Sequence, residues 1–194
     1  PLGTIAVAST ELAAALERLV VPDGVREDVR LVQAQIARCR GILSRMSTRS
    51  GEVAAESFTR VPVDEWIDEA LAQLPLPVAA HTTPGLAVLG PRAALTQALT
   101  NLLRNALAGS PEVTLRVERR EARLVMKVSD AGPALPPEVF SRLGEPFFTT
   151  RPVGQGLGLG VFLARTLAAQ LGGSLQYERN LPRGTVATIE LPLA

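Results

Sequence analysis

Four glycines alternate with other residues in the stretch GQGLGLG, residues 154–160, and an apolar run typical of a helix follows it directly. The N-terminus of a helix presents free N–H groups and the positive end of the helix dipole. Because glycine has no side chain, an anion can approach the backbone closely at such a position. The stretch therefore predicts a phosphate-binding site at the start of a helix.

Two common phosphate-binding patterns do not fit this stretch. The dinucleotide fingerprint G-x-G-x-x-G requires a third glycine after Gly156 and Gly158, where this chain has Val161. The P-loop pattern requires a lysine, and residues 154–173 contain none. In addition, an irregular stretch over residues 131–153, and not a buried strand, is expected to precede the glycines. Other residues must therefore indicate which phosphate ligand binds.

Two polar groups upstream could complete such a site. Asn101 and Asn105 are four residues apart, which places both on one face of a predicted helix that is otherwise rich in leucine. An amide on an apolar face costs stability unless it is hydrogen-bonded, so the pair either caps neighbouring backbone or binds a ligand. Asp130 and Gly132 follow a predicted strand, where Asp-x-Gly favours an Asx turn but also presents a carboxylate. Each pattern alone leaves both interpretations open.

The composition excludes several other kinds of site. The chain has 20 Lys and Arg against 19 Asp and Glu, without a long basic run, so no nucleic-acid-binding surface is expected. Cys39 and His81 are the only residues of their types, which excludes a disulfide framework and a Cys/His metal site. Any metal must therefore be bound by oxygen ligands.

The sequence shows no membrane-spanning or secretory segment. No apolar run approaches the ~20 residues that a membrane span requires. The first residues, PLGTIAVAST, lack the methionine and the basic start of a signal peptide. We therefore expect a cytoplasmic fragment, which would reach a membrane only through segments upstream.

Residues 1–50 predict a helical hairpin, and residues 51–194 predict a second domain. Apolar residues recur at helical spacing on both sides of the turn signal VVPDG, residues 20–24. The polar stretch STRSGE, residues 47–52, predicts a hinge after the hairpin. Because the apolar stripes of a lone hairpin need a partner, we expect two copies to form a four-helix bundle.

The second domain alternates between strands and helices. Helices are predicted over residues 63–74, from Pro91 to Gly109, and after the glycine-rich stretch. Strands are predicted over residues 58–63, 77–81, 85–90, 112–119, 122–130, 173–180 and 184–193. This order predicts the α+β class, with helices on one face of a mostly antiparallel sheet.

The polar groups and the glycines occur in a recognisable order. The helix with Asn101 and Asn105 comes first, and Asp130-x-Gly132, EPFFTT and the glycine-rich helix start follow in that order. Together these motifs resemble the ATP-binding domain of sensor histidine kinases. That domain shares the Bergerat nucleotide fold with gyrase, Hsp90 and MutL. The resemblance covers about residues 57–193. It implies a two-layer α/β sandwich, preceded here by the helical hairpin.

The resemblance implies a role for each of these residues toward ATP and Mg²⁺. Asp130 would accept a hydrogen bond from the adenine amino group, and Gly132 would let the backbone pass under the base. Asn105 would bind Mg²⁺ through its side-chain oxygen, and Asn101 would lie near the γ-phosphate. Further cofactor-binding residues are implied on the lid, the glycine box and the last strand: Phe147, Phe148, Arg151, Gly154, Gly156, Leu157, Gly158 and Thr185.

The sequence departs from the family pattern at several positions. Ala134 replaces the second glycine of the usual Asp-x-Gly-x-Gly, and Ala108 and Gly109 stand where a basic residue often follows the Mg-binding asparagine. These departures favour one alternative, a non-catalytic ATP-binding regulator. An ATPase or serine kinase of the same fold and a purely structural interaction module are further alternatives.

The hairpin has its own implications within this family. It would form a homodimer, and its first helix would present the phosphoacceptor histidine, which passes the phosphoryl group to the receiver domain of a response regulator. PLGTIAVASTEL resembles the residues that follow this histidine in Reg-type, redox-responsive kinases, so the acceptor is expected upstream of Pro1. The parent would be anchored in the bacterial inner membrane. Cys39, flanked by Arg38 and Arg40, is either a redox-responsive thiol or a small core residue.

Overall fold

A computed structural model describes residues 2–17, 22, 24–34, 57–150 and 158–194. The chain divides into two compact units, residues 1–55 and 56–194, and each is considered by itself. Cys39, the predicted hinge at 47–52, and Arg151, Gly154, Gly156 and Leu157 all lie outside the described residues.

The first unit contains the two predicted helices. Helix α1 spans Leu2–Glu17, and residues 24–34 are helical and are called α2. The helices contact each other, because the Gln33 side-chain amide donates to the carbonyl of the buried Ser9 at 3.2 Å. Apolar side chains nevertheless remain at the surface: Leu12 is 51% exposed and Leu31 is 58% exposed. This unit therefore leaves apolar area on both helices uncovered.

The second unit contains seven strands and four helices in its described part. The strands are β1 Thr59–Pro62, β2 Ala79–His81, β3 Ala87–Gly90, β4 Val113–Arg120, β5 Arg123–Asp130, β6 Ser174–Arg179 and β7 Thr185–Pro192. The helices are α3 Val63–Leu71, α4 Arg92–Gly109, α5 Pro137–Phe140 and α6 Gly160–Gln170.

The main sheet has five strands in the order β2-β4-β5-β7-β6, with β5 in the centre. Only the β2–β4 pair is parallel; the other pairs are antiparallel. Strands β1 and β3 form a separate antiparallel pair, so the two short strands predicted at 77–81 and 85–90 belong to different sheets. The expected α+β class and mostly antiparallel sheet are confirmed.

One face of the sheet supplies the core. Alternate residues of β4, such as Leu115 and Val117, are buried while Arg116 between them is exposed, as the pleat of a half-buried strand requires. Across the register, Leu115 lies opposite Val128. Helix α4 contacts β4, β5 and α6, and α6 also contacts β6 and β7. Helices and sheet therefore form two layers around one core.

Two details of the sequence prediction are wrong. Pro91 is not the first residue of α4, because its ψ of 113° is extended and the helix begins at Arg92. Pro91 instead precedes the helix, and its carbonyl accepts the Leu95 N–H at 3.0 Å. The stretch 131–153, predicted as irregular, contains the single helical turn α5. Pro137 at the start of this turn has the backbone angle that a first helical residue requires.

A group of polar side chains, the α3–α4 clamp, fixes the start of α4. The Arg92 guanidinium donates from Nε to Glu69 Oε1 at 2.9 Å and from Nη2 to Glu65 Oε2 at 2.9 Å. Thr96 donates its hydroxyl to Glu69 Oε2 at 3.0 Å. The hydrogen bond from Arg92 is the main reason why the pKa of Glu69 lies below its ordinary value of 4.5. Glu69 therefore stabilises the fold in its charged form.

The α3–α4 clamp predicts a pH-dependent effect of Glu69→Gln. The side chains of Arg92 and Glu69 are 38% and 42% exposed, so solvent screening limits the expected loss to roughly 0.5 kcal/mol near neutral pH. Because the folded pKa is depressed, this contribution is present above the ordinary pKa and is lost as the pH falls through the folded pKa. Urea unfolding of wild type and variant at about pH 7 and about pH 3 measures it.

The exposed carboxylate Glu178 on β6 offers a control substitution, Glu178→Gln. Its free energy of unfolding should stay within about 0.2 kcal/mol of wild type at neutral pH. A Glu69→Gln variant as stable as wild type at neutral pH, or one whose loss grows on acidification, would contradict the assignment.

Candidate functional site

Asp130 ends the central strand β5, and the turn after it is closed by its own side chain. Its Oδ1 accepts the Gly132 N–H at 2.9 Å, which is the Asx turn that the sequence allowed. Gly132 lies against the end of α4, because a Cβ there would lie 2.8 Å from the Gly109 carbonyl oxygen. Within the described part of the chain, no hydrogen bond reaches Asp130 Oδ2. The carboxylate can therefore accept a further donor.

The loop between β6 and β7 also contacts Asp130. Gly184 has a φ of +101°, and a Cβ there would overlap the Asp130 carbonyl oxygen, so only glycine fits this position. The Asn180 side-chain amide donates to the same carbonyl at 2.8 Å. Thr185, which follows Gly184 and is the first residue of β7, is buried. The ends of β5, α4 and β6 thus meet around Asp130; we call this group the Asp130 end.

Asn101 and Asn105 lie one turn apart on α4, as predicted from their spacing. Asn101 is half-buried and Asn105 is exposed. Gln97, one turn earlier, donates from Nε2 to Asn101 Oδ1 at 2.9 Å. This hydrogen bond satisfies the acceptor of the Asn101 amide, so its Nδ2 donor is the part suited to an anionic ligand. Sequence analysis missed Gln97, although its four-residue spacing from Asn101 was a usable signal.

The first turn of α6 lies against Asn101. A Cβ on Gly160 would be 3.3 Å from Asn101 Cγ, which is closer than an ordinary contact. The start of the glycine-rich helix and the asparagine side chain are therefore direct neighbours. We call Asn101, Asn105 and the start of α6 the α6 end of the site.

Gly158, just before α6, has a structural reason to be glycine. Its φ is +65°, and a Cβ there would lie 2.6 Å from the Phe147 carbonyl carbon. Phe147 donates its N–H to the Gly158 carbonyl at 3.1 Å, with its own φ at +67°, a value that a bulky residue rarely adopts. The Arg142 guanidinium lies 4.1 Å from the centroid of the Phe148 ring. The Phe147–Phe148 segment is thus held beside the glycine-rich helix.

Arg165 on α6 contacts the turn that precedes the Phe147–Phe148 segment. It donates from Nη2 to the Leu143 carbonyl at 2.8 Å. On neighbouring β6, burial raises the pKa of Tyr177 above its ordinary value of 10.0, and the charge of Arg165 acts in the opposite direction. Tyr177 is therefore neutral near pH 7 and is not a base for this site. Sequence analysis missed Arg165, because nothing in its neighbourhood marks the contact.

Helix α4 joins the two ends of the site. Its last residue, Gly109, lies at the Asp130 end, and Asn101 lies at the α6 end, two turns earlier. His81 is exposed on β2, at the edge of the sheet. Among the described residues there is no group of three or more His, Cys, Asp or Glu that could hold a metal ion. In the same residues, no helix is long and apolar enough to cross a membrane.

Comparisons with known proteins agree with this architecture. Residues 90–194 match the family described as histidine kinase-, DNA gyrase B-, and HSP90-like ATPase. Sensor histidine kinase RegB of Cereibacter sphaeroides is 29% identical over 196 aligned residues, which cover 91% of this chain and 41% of RegB. Sensor-like histidine kinase SenX3 of Mycobacterium tuberculosis is 28% identical, over 99% of this chain and 50% of SenX3.

A solved structure shows the same fold. The mycobacterial sensor histidine kinase MprB superposes with a TM-score of 0.63 at 28% identity, covering 70% of this chain and 97% of the solved one. The chain spans half or less of the length of RegB and SenX3, so it corresponds to part of each relative. The resemblance drawn from the sequence is confirmed: this chain belongs to the histidine kinase-, DNA gyrase B-, and HSP90-like ATPase family and contains the ATPase domain of a sensor histidine kinase.

Proposed function

We propose that this chain binds Mg-ATP between the Asp130 end and the α6 end. It then transfers the γ-phosphoryl group to a histidine of the dimerisation helix, from which the group passes to an aspartate of a response regulator. The observation that supports this proposal most directly is the position of α4. Its C-terminal end lies against the Asp130 turn, and two turns earlier its asparagine Asn101 lies beside the N-terminus of α6. This spacing suits a ligand with a base and a phosphate chain.

At the Asp130 end, the carboxylate would recognise adenine. Oδ1 is already engaged by Gly132, which leaves Oδ2 to accept one N–H of the adenine amino group. Gly132 is buried against the Gly109 carbonyl, where a side chain would not fit, and its backbone would pass under the base. Thr185 is buried beside the Asp130 contact and would form part of the floor under the base.

At the α6 end, amides and backbone would bind the phosphates. The Asn101 Nδ2 group would donate to a phosphate oxygen, and Asn105 would supply its side-chain oxygen to Mg²⁺. An amide oxygen is a hard ligand, and Mg²⁺ takes few protein ligands besides phosphate oxygens and water, so Asn105 suits this ion. Held by Asn105, the ion would supply positive charge that offsets the charge of the phosphates.

The residues between Thr150 and Gly158 belong to this proposal as well. We infer that Gly154, Gly156 and Leu157 offer backbone N–H groups to the triphosphate. Arg151 would supply the cation that is missing at Ala108 and Gly109, after Asn105. The Phe147–Phe148 segment, which contacts Gly158 and the Arg142 guanidinium, would anchor this lid.

In the transfer step, an imidazole nitrogen attacks the γ-phosphorus. A P–N bond forms while the bond to the bridging oxygen of ADP breaks, and ADP leaves. Positioning and charge stabilisation supply the catalysis, because a loose phosphoryl transition state needs little covalent assistance from the protein. The aspartate carboxylate of the response regulator then takes the phosphoryl group from the imidazole.

Calorimetric titration with ATP tests the binding step. Wild type should bind ATP with Mg²⁺ present, and removal of the ion with EDTA should weaken binding. Asn105→Ala should lower the affinity about tenfold with Mg²⁺ and change it little in EDTA, because the lost interaction is with the ion. Asp130→Asn should weaken ATP binding under both conditions, because its amide cannot accept as a carboxylate does.

The exposed amide of Gln176 on β6 gives a matched control, Gln176→Ala, which should leave both titrations unchanged. Equal losses of affinity for Asn105→Ala with and without Mg²⁺ would argue against the metal role. No ATP binding by wild type would leave only the structural interaction module.

Labelling with γ-phosphate-labelled ATP tests the transfer step. We expect no stable phosphohistidine on residues 1–194, since His81 lies on an exposed edge strand and is not proposed as the acceptor. A chain extended upstream by its natural residues, including a histidine, should become labelled, and Asn105→Ala in that chain should abolish most of the label. Label on His81 would contradict the proposal. An extended chain that binds ATP but never gains label would favour the non-catalytic regulator.

The hairpin would pair with a second copy through its uncovered apolar side chains. Leu12, Val25, Leu31 and Val32 are all exposed within the first unit, which is unusual for so many large apolar residues on two neighbouring helices. Burial of this area against a second copy would form the four-helix bundle. This interface would also present the histidine and the docking surface for the response regulator.

Sedimentation velocity tests the dimer. Wild type should sediment as a dimer at micromolar concentrations, and the double variant Leu31→Glu, Val32→Glu should shift to the monomer, because paired helices would bury the new charges. Leu89→Glu, at an exposed apolar position of the second unit, is the control and should remain dimeric. A monomeric wild type would contradict the proposed homodimer.

A further inference from the structure

We propose that Asn180, in the loop between β6 and β7, is a positioning residue for adenine recognition. It holds the backbone of Asp130 so that the carboxylate faces the amino group of the base. This inference rests on the proposed function, because it takes Asp130 as the residue that binds adenine.

The hydrogen bond from Asn180 to Asp130 lies just beyond the point where the pairing between β5 and β7 ends. The register between β5 and β7 extends to Ser129 opposite Val186 and ends there, so Asp130 is the first β5 residue beyond it. On its other side, Asp130 still lies opposite Val113 of β4. Asn180 Nδ2 donates to the Asp130 carbonyl at 2.8 Å, so a side chain from 50 residues away supplies the contact that β7 no longer makes.

Asn180 is itself fixed by the loop. Its backbone N–H donates to the Gly184 carbonyl at 3.0 Å, which closes residues 180–184 into a short loop. Gly184 packs directly on Asp130, since a Cβ at this glycine would lie 2.8 Å from the Asp130 carbonyl carbon. The backbone that carries the Asn180 side chain is therefore held beside Asp130.

The carbonyl of Asp130 is coupled to its carboxylate through a short, closed turn. Ala131 donates its N–H to the Glu112 carbonyl at 3.3 Å, and Gly132 donates to Asp130 Oδ1 at 2.9 Å. A rotation of the peptide between Asp130 and Ala131 would displace both hydrogen bonds. The Asn180 contact opposes that rotation, and so fixes the direction in which Oδ2 points.

Loss of this contact should affect one part of the ligand only. The adenine amino group needs a well-directed acceptor, because hydrogen bonds weaken steeply with misalignment. The phosphates depend instead on α4 and α6, where Gln97 and Gly160 fix Asn101 without help from the β6–β7 loop. Loss of the Asn180 amide should therefore weaken nucleotides that have the amino group and spare those that lack it.

Two nucleotides distinguish this role from general support of the fold. ATP and purine riboside 5′-triphosphate, which lacks the 6-amino group, are titrated with Mg²⁺ into residues 1–194 of wild type, Asn180→Ala and Asn180→Asp. The second variant keeps the size of the side chain but has no N–H to donate. Circular dichroism and urea unfolding establish that both variants fold.

Wild type should prefer ATP by about tenfold or more, as expected for a hydrogen bond to a charged group. Both Asn180 variants should lose about threefold to tenfold in affinity for ATP and stay within about twofold of wild type for purine riboside triphosphate. Gln176→Ala, which removes an exposed amide on β6, should keep the wild-type ratio of the two affinities.

Equal losses for both nucleotides, or an unchanged ratio in both variants, would overturn the positioning role of Asn180. Asp130→Asn separates this failure from failure of the proposed function. If Asp130→Asn loses the preference for ATP while the Asn180 variants keep it, only the inference about Asn180 fails. If wild type and Asp130→Asn show the same ratio, the adenine role of Asp130 fails, and the inference fails with it.

Discussion

The packing of α4 against two backbone segments is the constraint on which the candidate site depends. At its C-terminal end, Gly109 lies so close to Gly132 that no Cβ fits between them, and two turns earlier Asn101 lies against Gly160. A Cβ on Gly132 would displace the end of α4, and one on Gly160 would press on the Asn101 side chain. The distance between the Asp130 end and the α6 end is therefore set by the two turns of α4 from Asn101 to Gly109, and a ligand that bridges them must match it.

The core and the surface both support this position of α4. Leu99 and Leu103 are fully buried on the helix, and they belong to the same core as Leu115 of β4 and Met126 of β5. Apolar burial of this kind contributes roughly 2 kcal/mol for each large side chain, so it dominates over the partly exposed α3–α4 clamp. Apolar burial is not directional, whereas the hydrogen bonds of the α3–α4 clamp are. They fix the orientation of the first turn of α4 relative to α3.

Local patterns were sufficient to predict most elements and the outline of the site. Alternation of apolar residues predicted β4 and β5, and the four-residue spacing of Asn101 and Asn105 predicted their common face. The contacts of Asn180 and Arg165 could not be predicted, because each joins a side chain to a backbone carbonyl 50 and 22 residues away. Sequence also gave no indication that Gly158 and Gly184 are required by close packing, since glycine serves turns and ligands equally well.

The central claim is that one ligand contacts both ends of the site at once. Amide chemical shifts of the isotope-labelled full chain, followed during titration with Mg-ATP, test this directly. The account predicts that Gly132 and Gly184, at the Asp130 end, shift in the same titration as Gly160, at the α6 end, with a common affinity. Shifts limited to one end, two different affinities, or no shift at saturating Mg-ATP would contradict it.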